Sequence, residues 1–178
     1  MDQRPIAGEY SPYFDRYVKL VPDGDITQVL KEQSKATAEL LDGLTDEQAS
    51  FRYEKGKWSI KEVIGHVIDT ERVFSYRLLA IARGEMASLP GFDQDAYVEA
   101  ASFDQTSFNA LLDHFSAVRQ ATVCLLRSLN ARDWIKKGNA NGADITVRAL
   151  AYIMAGHELH HRRIIKDRYL AAPDFEKL

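Results

Sequence analysis

The sequence predicts an all-α protein, an up-down four-helix bundle that carries an extended N-terminal arm. Four long stretches place apolar residues at the spacing of an amphipathic helix, and no sustained two-residue alternation indicates a sheet. Capping residues precede several of these stretches. A chain of 178 residues, of which 46% are hydrophobic and 28% charged, can bury a core of its own. We therefore expect a single domain over residues 1–178.

The arm and the first helix are predicted from the beginning of the chain. The first 24 residues are rich in aromatic residues, proline and glycine. The first helix is predicted from Ile26 to Leu41, since Asp25 is a good N-cap and Gly43 a good stop. We expect the arm to pack on the bundle through four aromatic side chains, Tyr10, Tyr13, Phe14 and Tyr17.

The second predicted helix begins at a capping box. The Ser59 hydroxyl can accept a hydrogen bond from the backbone three residues on, and Glu62 can reach back to the N–H of Ser59. Apolar residues then recur at helical spacing as far as about Arg83, and Gly84 is expected to end the helix.

The second half of the chain supplies a long connection and two more helices. About twenty residues after the second helix are expected to form a structureless loop, which at that length is often functional. Asp93 and Asp95 in this loop are more simply turn residues. The third helix is predicted over about 106–129, and the fourth from the cap Thr146 to about Leu170. The turn before the fourth helix contains Gly138, Asn139, Asn141 and Gly142.

Charge and composition exclude several functions. A formal net charge of −3 gives no general attraction to nucleic acid or to anionic lipid. No apolar run is long enough to span a membrane or to resemble a signal peptide. The single cysteine, Cys124, lies in an apolar run and is expected to be a buried structural thiol. One cysteine permits no intrachain disulfide, which suits a cytoplasmic protein. A basic run in the fourth helix is interpreted as a solvated face: Arg162, Arg163, Lys166 and Arg168.

The five histidines carry the strongest functional signal. His157 and His161 stand four residues apart, so that both imidazoles lie on one face of the fourth helix and can share one ion. His66 lies in the apolar stripe of the second helix beside Gly65, which permits close approach. A shared metal would satisfy three imidazoles that a bundle otherwise has no reason to bury. His160 is the alternative to His161, and His114 is interpreted as structural.

Other kinds of site fit less well. Residues 157–161 match the H-E-x-x-H pattern of zinc peptidases, but no further histidine follows at the spacing that the extended motif requires. A di-iron carboxylate bundle needs two E-x-x-H motifs, and only Glu158 and His161 form one. No glycine-rich phosphate loop and no G-x-S-x-G elbow is present.

Three segments resemble the DinB-like family of four-helix-bundle metalloproteins. They are Lys57–Arg72 (KWSIKEVIGHVIDTER), Pro90–Tyr97 (PGFDQDAY) and Gly156–His161 (GHELHH), and the resemblance runs from about Ile26 to Tyr169. It implies a single DinB-like bundle domain, often a homodimer, that binds a divalent ion such as zinc or nickel. It also implies the metal ligands His66, His157 and His161.

The family includes thiol-dependent S-transferases that use bacillithiol or mycothiol, and a mycothiol-dependent isomerase. We therefore expect that the metal activates a low-molecular-weight thiol, which attacks an electrophilic substrate. The carboxylate of Asp69 is a candidate to orient His66, and Glu158 a candidate base, although either can be a plain surface residue. The alternatives are a metal-dependent hydrolase that uses bound water and a bundle that binds metal without catalysis.

Overall fold

The computed structural model describes residues 4–177, within which eight α-helices are formed. These are α1 (Asp15–Val18), α2 (Ile26–Leu41), α3 (Asp46–Ala49), α4 (Ile60–Ala82), α5 (Gln94–Ala101), α6 (Phe108–Arg127), α7 (Ala131–Trp134) and α8 (Val147–Ile164). A π-helix, Ile165–Leu170, continues α8. Two antiparallel strands, β1 (Lys137–Ala140) and β2 (Ala143–Thr146), form a hairpin before α8. Short 3₁₀ turns cover Pro12–Phe14, Phe103–Gln105 and Phe175–Lys177.

The long helices α2, α4, α6 and α8 form the expected four-helix bundle, and their predicted caps are confirmed. Asp25 accepts a hydrogen bond from the backbone of α2, and Thr146 accepts one from the backbone of α8. Ser59 and Glu62 make both hydrogen bonds of the capping box at the start of α4. Within the described part of the chain, no helix combines the length and the apolar character needed to cross a membrane.

The bundle helices run up, down, down and up. The beginnings of α2 and α8 share one apolar cluster with the ends of α4 and α6. The end of α2 and the π-helix after α8 share a second cluster with the beginnings of α4 and α6. The up-down alternation therefore holds from α2 to α4 and from α6 to α8. Because the segment 83–107 crosses back along the bundle, α6 repeats the direction of α4.

The prediction of a structureless loop between the second and third long helices is wrong. The segment contains α5 and a 3₁₀ turn, and Asp93 caps α5 by accepting hydrogen bonds from the N–H groups of Asp95 and Ala96. Phe103 is buried, and a β-carbon at Gly65 would overlap with its ring. Gly65 therefore allows the crossing segment to lie directly on α4, which fixes its path.

The turn before α8, Cys124 and the N-terminal arm differ in part from the sequence predictions. The turn before α8 is a hairpin, closed by Asn141 and Gly142 with φ of 54° and 74°, as a two-residue type I′ turn requires. Cys124 is exposed, because it lies on the outer face of α6. The arm packs on the bundle, but it folds into helical turns rather than staying extended. Its Tyr13 is 62% exposed, whereas Tyr17 is buried.

A buried charge network joins all four bundle helices. Arg119 of α6 is 2% exposed and donates hydrogen bonds to Glu71 of α4 and to the Leu30 carbonyl oxygen of α2. The same guanidinium lies 2.7 Å from Oε2 of Glu158 on α8, and Oε1 of that carboxylate accepts a 2.6 Å hydrogen bond from the Thr37 hydroxyl. Burial by itself lowers the pKa of Arg119, but the carboxylates of Glu158 and Glu71 outweigh it and raise that pKa.

Replacing Arg119 by Met should lower the free energy of unfolding by about 3–5 kcal/mol, because two buried carboxylates lose their cation. Urea unfolding followed by circular dichroism would measure the change. Arg127→Met, on the exposed face of the same helix, is the matched control and should change the free energy by less than about 0.5 kcal/mol. Equal effects of the two substitutions would contradict the structural role of the network.

Candidate metal centre

Three histidines converge between α4 and α8. The Nε2 atom of His157 lies 3.0 Å from Nε2 of His66 and 3.1 Å from Nε2 of His161. One ligand nitrogen from each residue lies within 4.8 Å of the other two. His157 and His161 are one turn apart on α8, and the antiparallel packing of α4 places His66 opposite them. The structure thus brings together all three histidines that the sequence singled out.

The three imidazoles are neutral at ordinary pH. His66 is 3% exposed and His157 is 7% exposed. Burial lowers the pKa of His66 to about 4. Burial, and to a smaller extent the neighbouring histidines, hold the pKa values of His157 and His161 well below the ordinary value of histidine. Each ring therefore offers one unprotonated nitrogen, which is the form that binds metal.

The spacing of these nitrogens fits a shared divalent ion. Imidazole binds zinc at about 2.0–2.1 Å, so that two nitrogens on one ion stand roughly 2.9–3.4 Å apart in octahedral or tetrahedral geometry. The observed separations of 3.0 and 3.1 Å lie within this range. As hydrogen bonds, both contacts would have to share the single Nε2 atom of His157, whereas a shared cation accepts a lone pair from each of the three rings. His66, His157 and His161 can therefore hold a metal ion together.

The residues around the triad differ from those expected. Thr70, rather than Asp69, lies beside His66, with its hydroxyl oxygen 3.4 Å from Nδ1. Asp69 instead forms an ion pair with Arg72 at 3.3 Å. The ring of Trp58 packs against His66 at a centroid distance of 4.9 Å. The contact that orients His66 therefore comes from Thr70, one residue later than the sequence suggested. Thr70 follows His66 by four residues, about one helical turn, so that its side chain lies beside the imidazole ring.

Glu158 is not placed to act as a base. Its side chain is 2% exposed and is bound to Arg119 and Thr37 in the interior of the bundle. Neighbouring residues on a helix point about 100° apart, so that Glu158 faces away from the site when His157 faces into it. The H-E-x-x-H pattern consequently lacks the free glutamate that peptidase chemistry needs.

The remaining two histidines lie outside the triad. The His160 ring packs edge-on against Tyr17 at a centroid distance of 5.4 Å, and His161 rather than His160 completes the cluster. His114 is exposed on α6, and its Nε2 atom lies 3.0 Å from a guanidinium nitrogen of Arg72. His161, which stands a full turn from His157, thus lies in the cluster, and His160 does not.

A cavity of about 490 Å³ adjoins the triad, and His66 and His157 form part of its wall. Its apolar lining combines residues of the arm, α4, the crossing segment and α8. Sequence reasoning missed it because no local pattern connects these parts, although the aromatic arm was a signal. Its aromatic residues are Tyr13, Phe14, Tyr17, Phe74 and Phe92, and its polar residues include Thr70, Arg77, Gln94 and Asn141.

The comparisons with known proteins agree on one family and one fold. The family described as the DinB superfamily matches residues 30–165. A protein of Oceanobacillus iheyensis named "Putative metal-dependent hydrolase" is 27% identical over 150 residues, which cover 80% of this chain and 84% of that protein.

Solved structures show the same fold at low identity. YfiT from Bacillus subtilis, described as a probable metal-dependent hydrolase with an unusual four-helix bundle topology, gives a TM-score of 0.73 at 18% identity. The match covers 93% of this chain and 91% of YfiT. A mycothiol-dependent maleylpyruvate isomerase gives a TM-score of 0.65 at 11% identity, covering 84% of this chain and 64% of that one.

Removing His66 should abolish stoichiometric metal binding, since two imidazoles on one helix leave a divalent ion incompletely coordinated. We expect about one zinc or nickel ion per chain in the native protein and almost none in His66→Ala, measured by mass spectrometry of untagged protein. His114→Ala, which removes an exposed histidine outside the triad, should keep the full metal content. Full metal content in His66→Ala would refute the assignment of His66 as a ligand.

The metal-free protein should become less stable as the pH falls from 6.5 towards 4. In this window unfolded His66 binds a proton and folded His66, with its pKa lowered to about 4, does not. His66 alone should therefore lower the free energy of unfolding by about 3 kcal/mol across the window. Urea unfolding at several pH values would measure this slope, and His66→Gln should make it shallower. An unchanged slope in that variant would contradict the burial of a neutral His66.

Proposed function

This chain belongs to the DinB superfamily, and on that premise we propose that it is a divalent-metal-dependent enzyme that transfers a low-molecular-weight thiol to an electrophilic small molecule. The observation that carries the proposal is a cluster of three neutral histidines, two of which, His66 and His157, form part of the wall of a cavity. A volume of about 490 Å³ is in the range of small-molecule sites.

The donor set favours a catalytic over a structural site. Structural zinc is usually held by four protein ligands, whereas catalytic zinc has three and keeps a position for water or substrate. Among residues 4–177, the cluster consists of His66, His157 and His161 without a fourth histidine, cysteine or carboxylate. Zinc and nickel are both compatible with three neutral imidazoles. When bound, such an ion supplies Lewis acidity that lowers the pKa of a thiol or water.

The protein residues position and desolvate the reactants. Thr70 lies against Nδ1 of His66, so that Nε2 faces the other histidines. Tyr17 packs edge-on against His157 at 5.4 Å and also lines the cavity, where it helps to exclude water. In the proposed reaction, the thiol sulfur bonds to the electrophilic carbon as the leaving group departs with its electron pair. The thiol proton passes to water.

Hydrolysis is the second candidate, because the Oceanobacillus relative and YfiT are both named as metal-dependent hydrolases. In that reaction water oxygen replaces the thiol sulfur. The cavity favours the thiol: among its described lining residues none is a carboxylate that could serve as a base. A thiol, with an ordinary pKa near 8.5, ionises without such help far more readily than water.

The partners proposed are a small thiol and an electrophile, with neither nucleic acid nor a membrane involved. The homodimer remains an expectation from the family resemblance, and the cytoplasmic location remains a prediction from the sequence.

The zinc- or nickel-loaded protein should accelerate the reaction of a thiol from a panel with chlorodinitrobenzene, a reaction that forms a thioether and releases chloride. We expect the rate to fall to that of metal-free protein in His157→Ala and to be kept in His114→Ala. Thioether formation is followed by absorbance. Turnover of nitrophenyl acetate without any thiol, together with no thioether formation, would instead support the hydrolase.

A further inference from the structure

Arg77 of α4 is a buried cation that has no carboxylate partner among residues 4–177. It is 6% exposed, and burial alone accounts for the lowered pKa of its guanidinium. One N–H donates a 2.6 Å hydrogen bond to the carbonyl oxygen of Pro90, and the rings of Phe74 and Phe92 lie 5.2 and 5.8 Å away. Within the described chain no ion pair forms with Arg77, whereas the other deeply buried arginine, Arg119, lies between two glutamates.

A guanidinium in this position has hydrogen-bonding capacity left over. Arg carries five N–H donors in a planar fork, and the Pro90 carbonyl uses one of its terminal nitrogens. Keeping a charged group in an apolar wall is costly unless an opposite charge accompanies it. A planar carboxylate matches the fork with two parallel hydrogen bonds.

The cavity places this cation at a distance from the histidines. Arg77 and His66 both line it, and both lie on one face of α4, since eleven residues make about three turns. The corresponding rise along the helix axis is about 16 Å, although each side chain leans from its own Cα. The wall between them carries Thr70 and Phe74, and aromatic residues of the arm face it.

We propose that Arg77 binds a carboxylate of the substrate, and that the substrate is an elongated organic acid. Its carboxylate pairs with Arg77, its apolar middle lies along the aromatic wall, and its reactive group reaches the histidines. The assignment rests on the proposed function, which makes the triad the reacting end of the cavity. It makes Arg77 a residue that selects the substrate rather than one that takes part in bond formation.

The probes are mercaptoundecanoic acid and mercaptoundecanol, which share a thiol and an apolar chain but differ at the far end. Cobalt-loaded full-length protein reports thiol binding through the sulfur-to-cobalt absorption band, which yields a dissociation constant. We expect the acid to bind at least about tenfold more tightly than the alcohol, as a charge-assisted hydrogen bond would give. The shorter pair, mercaptohexanoic acid and mercaptohexanol, should show a smaller preference because the chain cannot span the cavity.

Variants separate the anchor from a merely structural arginine. Arg77→Met keeps the packing of the stem and should abolish the preference for the acid while the alcohol binds as before. Arg77→Lys should keep part of the preference, and it also serves if Arg77→Met fails to fold. Arg83→Met removes the exposed arginine directly after α4 and should change nothing. Equal binding of acid and alcohol by the native protein, or a preference that survives in Arg77→Met, would overturn the proposal.

Failure of the thiol function would be recognised separately. If neither thiol changes the cobalt spectrum, the thiol-transferase proposal is wrong and the anchor is tested with undecanoate and undecanol by calorimetry. Tighter binding of undecanoate that is lost in Arg77→Met would support the carboxylate site on its own. The same affinity for undecanoate in both proteins would overturn it.

Discussion

The ion pairs of Arg119 with Glu71 and Glu158 are the interaction on which the rest of the structure depends. They link three helices of the bundle directly, and Leu30 and Thr37 bring in the fourth. Because Glu158 and His157 are adjacent, the pairing of Glu158 with Arg119 sets the rotation of α8 about its axis. That rotation turns His157 towards α4. The arrangement of the triad is thus a consequence of a charge network that contains none of the three histidines.

The order of the helices places the cavity beside the triad. Since α4 and α6 run in the same direction, the chain between them has to return along the bundle. The returning segment supplies Phe92 and Gln94 to the cavity wall. The arm and the hairpin before α8 supply further residues of the cavity wall. In a simple up-down bundle with short turns, fewer residues would surround the same three histidines.

Much of the fold could be predicted from local patterns, because caps and helical periodicity are local properties. The bounds Ile26–Leu41 and the capping box at Ser59 are examples. The triad also followed from spacing and from family resemblance. The predictions that failed depend on contacts between residues distant in the sequence. Spacing shows which residues share a helix face with His157, but it does not show that Arg119 lies opposite Glu158. The helix α5 was missed because it has only eight residues and because its cap, Asp93, suits a turn equally well.

The burial of neutral His66 has a further consequence for the competition between protons and a metal ion at the proposed site. Protons are the commonest competitors of metals at histidine sites, and an ordinary imidazole begins to be occupied by them below about pH 6.5. With a pKa of about 4, His66 is free of that competition down to far greater acidity. Folding already keeps His66 unprotonated, so that no proton has to be displaced from it when an ion binds. An ion held at the proposed site would therefore lose little affinity to proton competition at His66 on mild acidification.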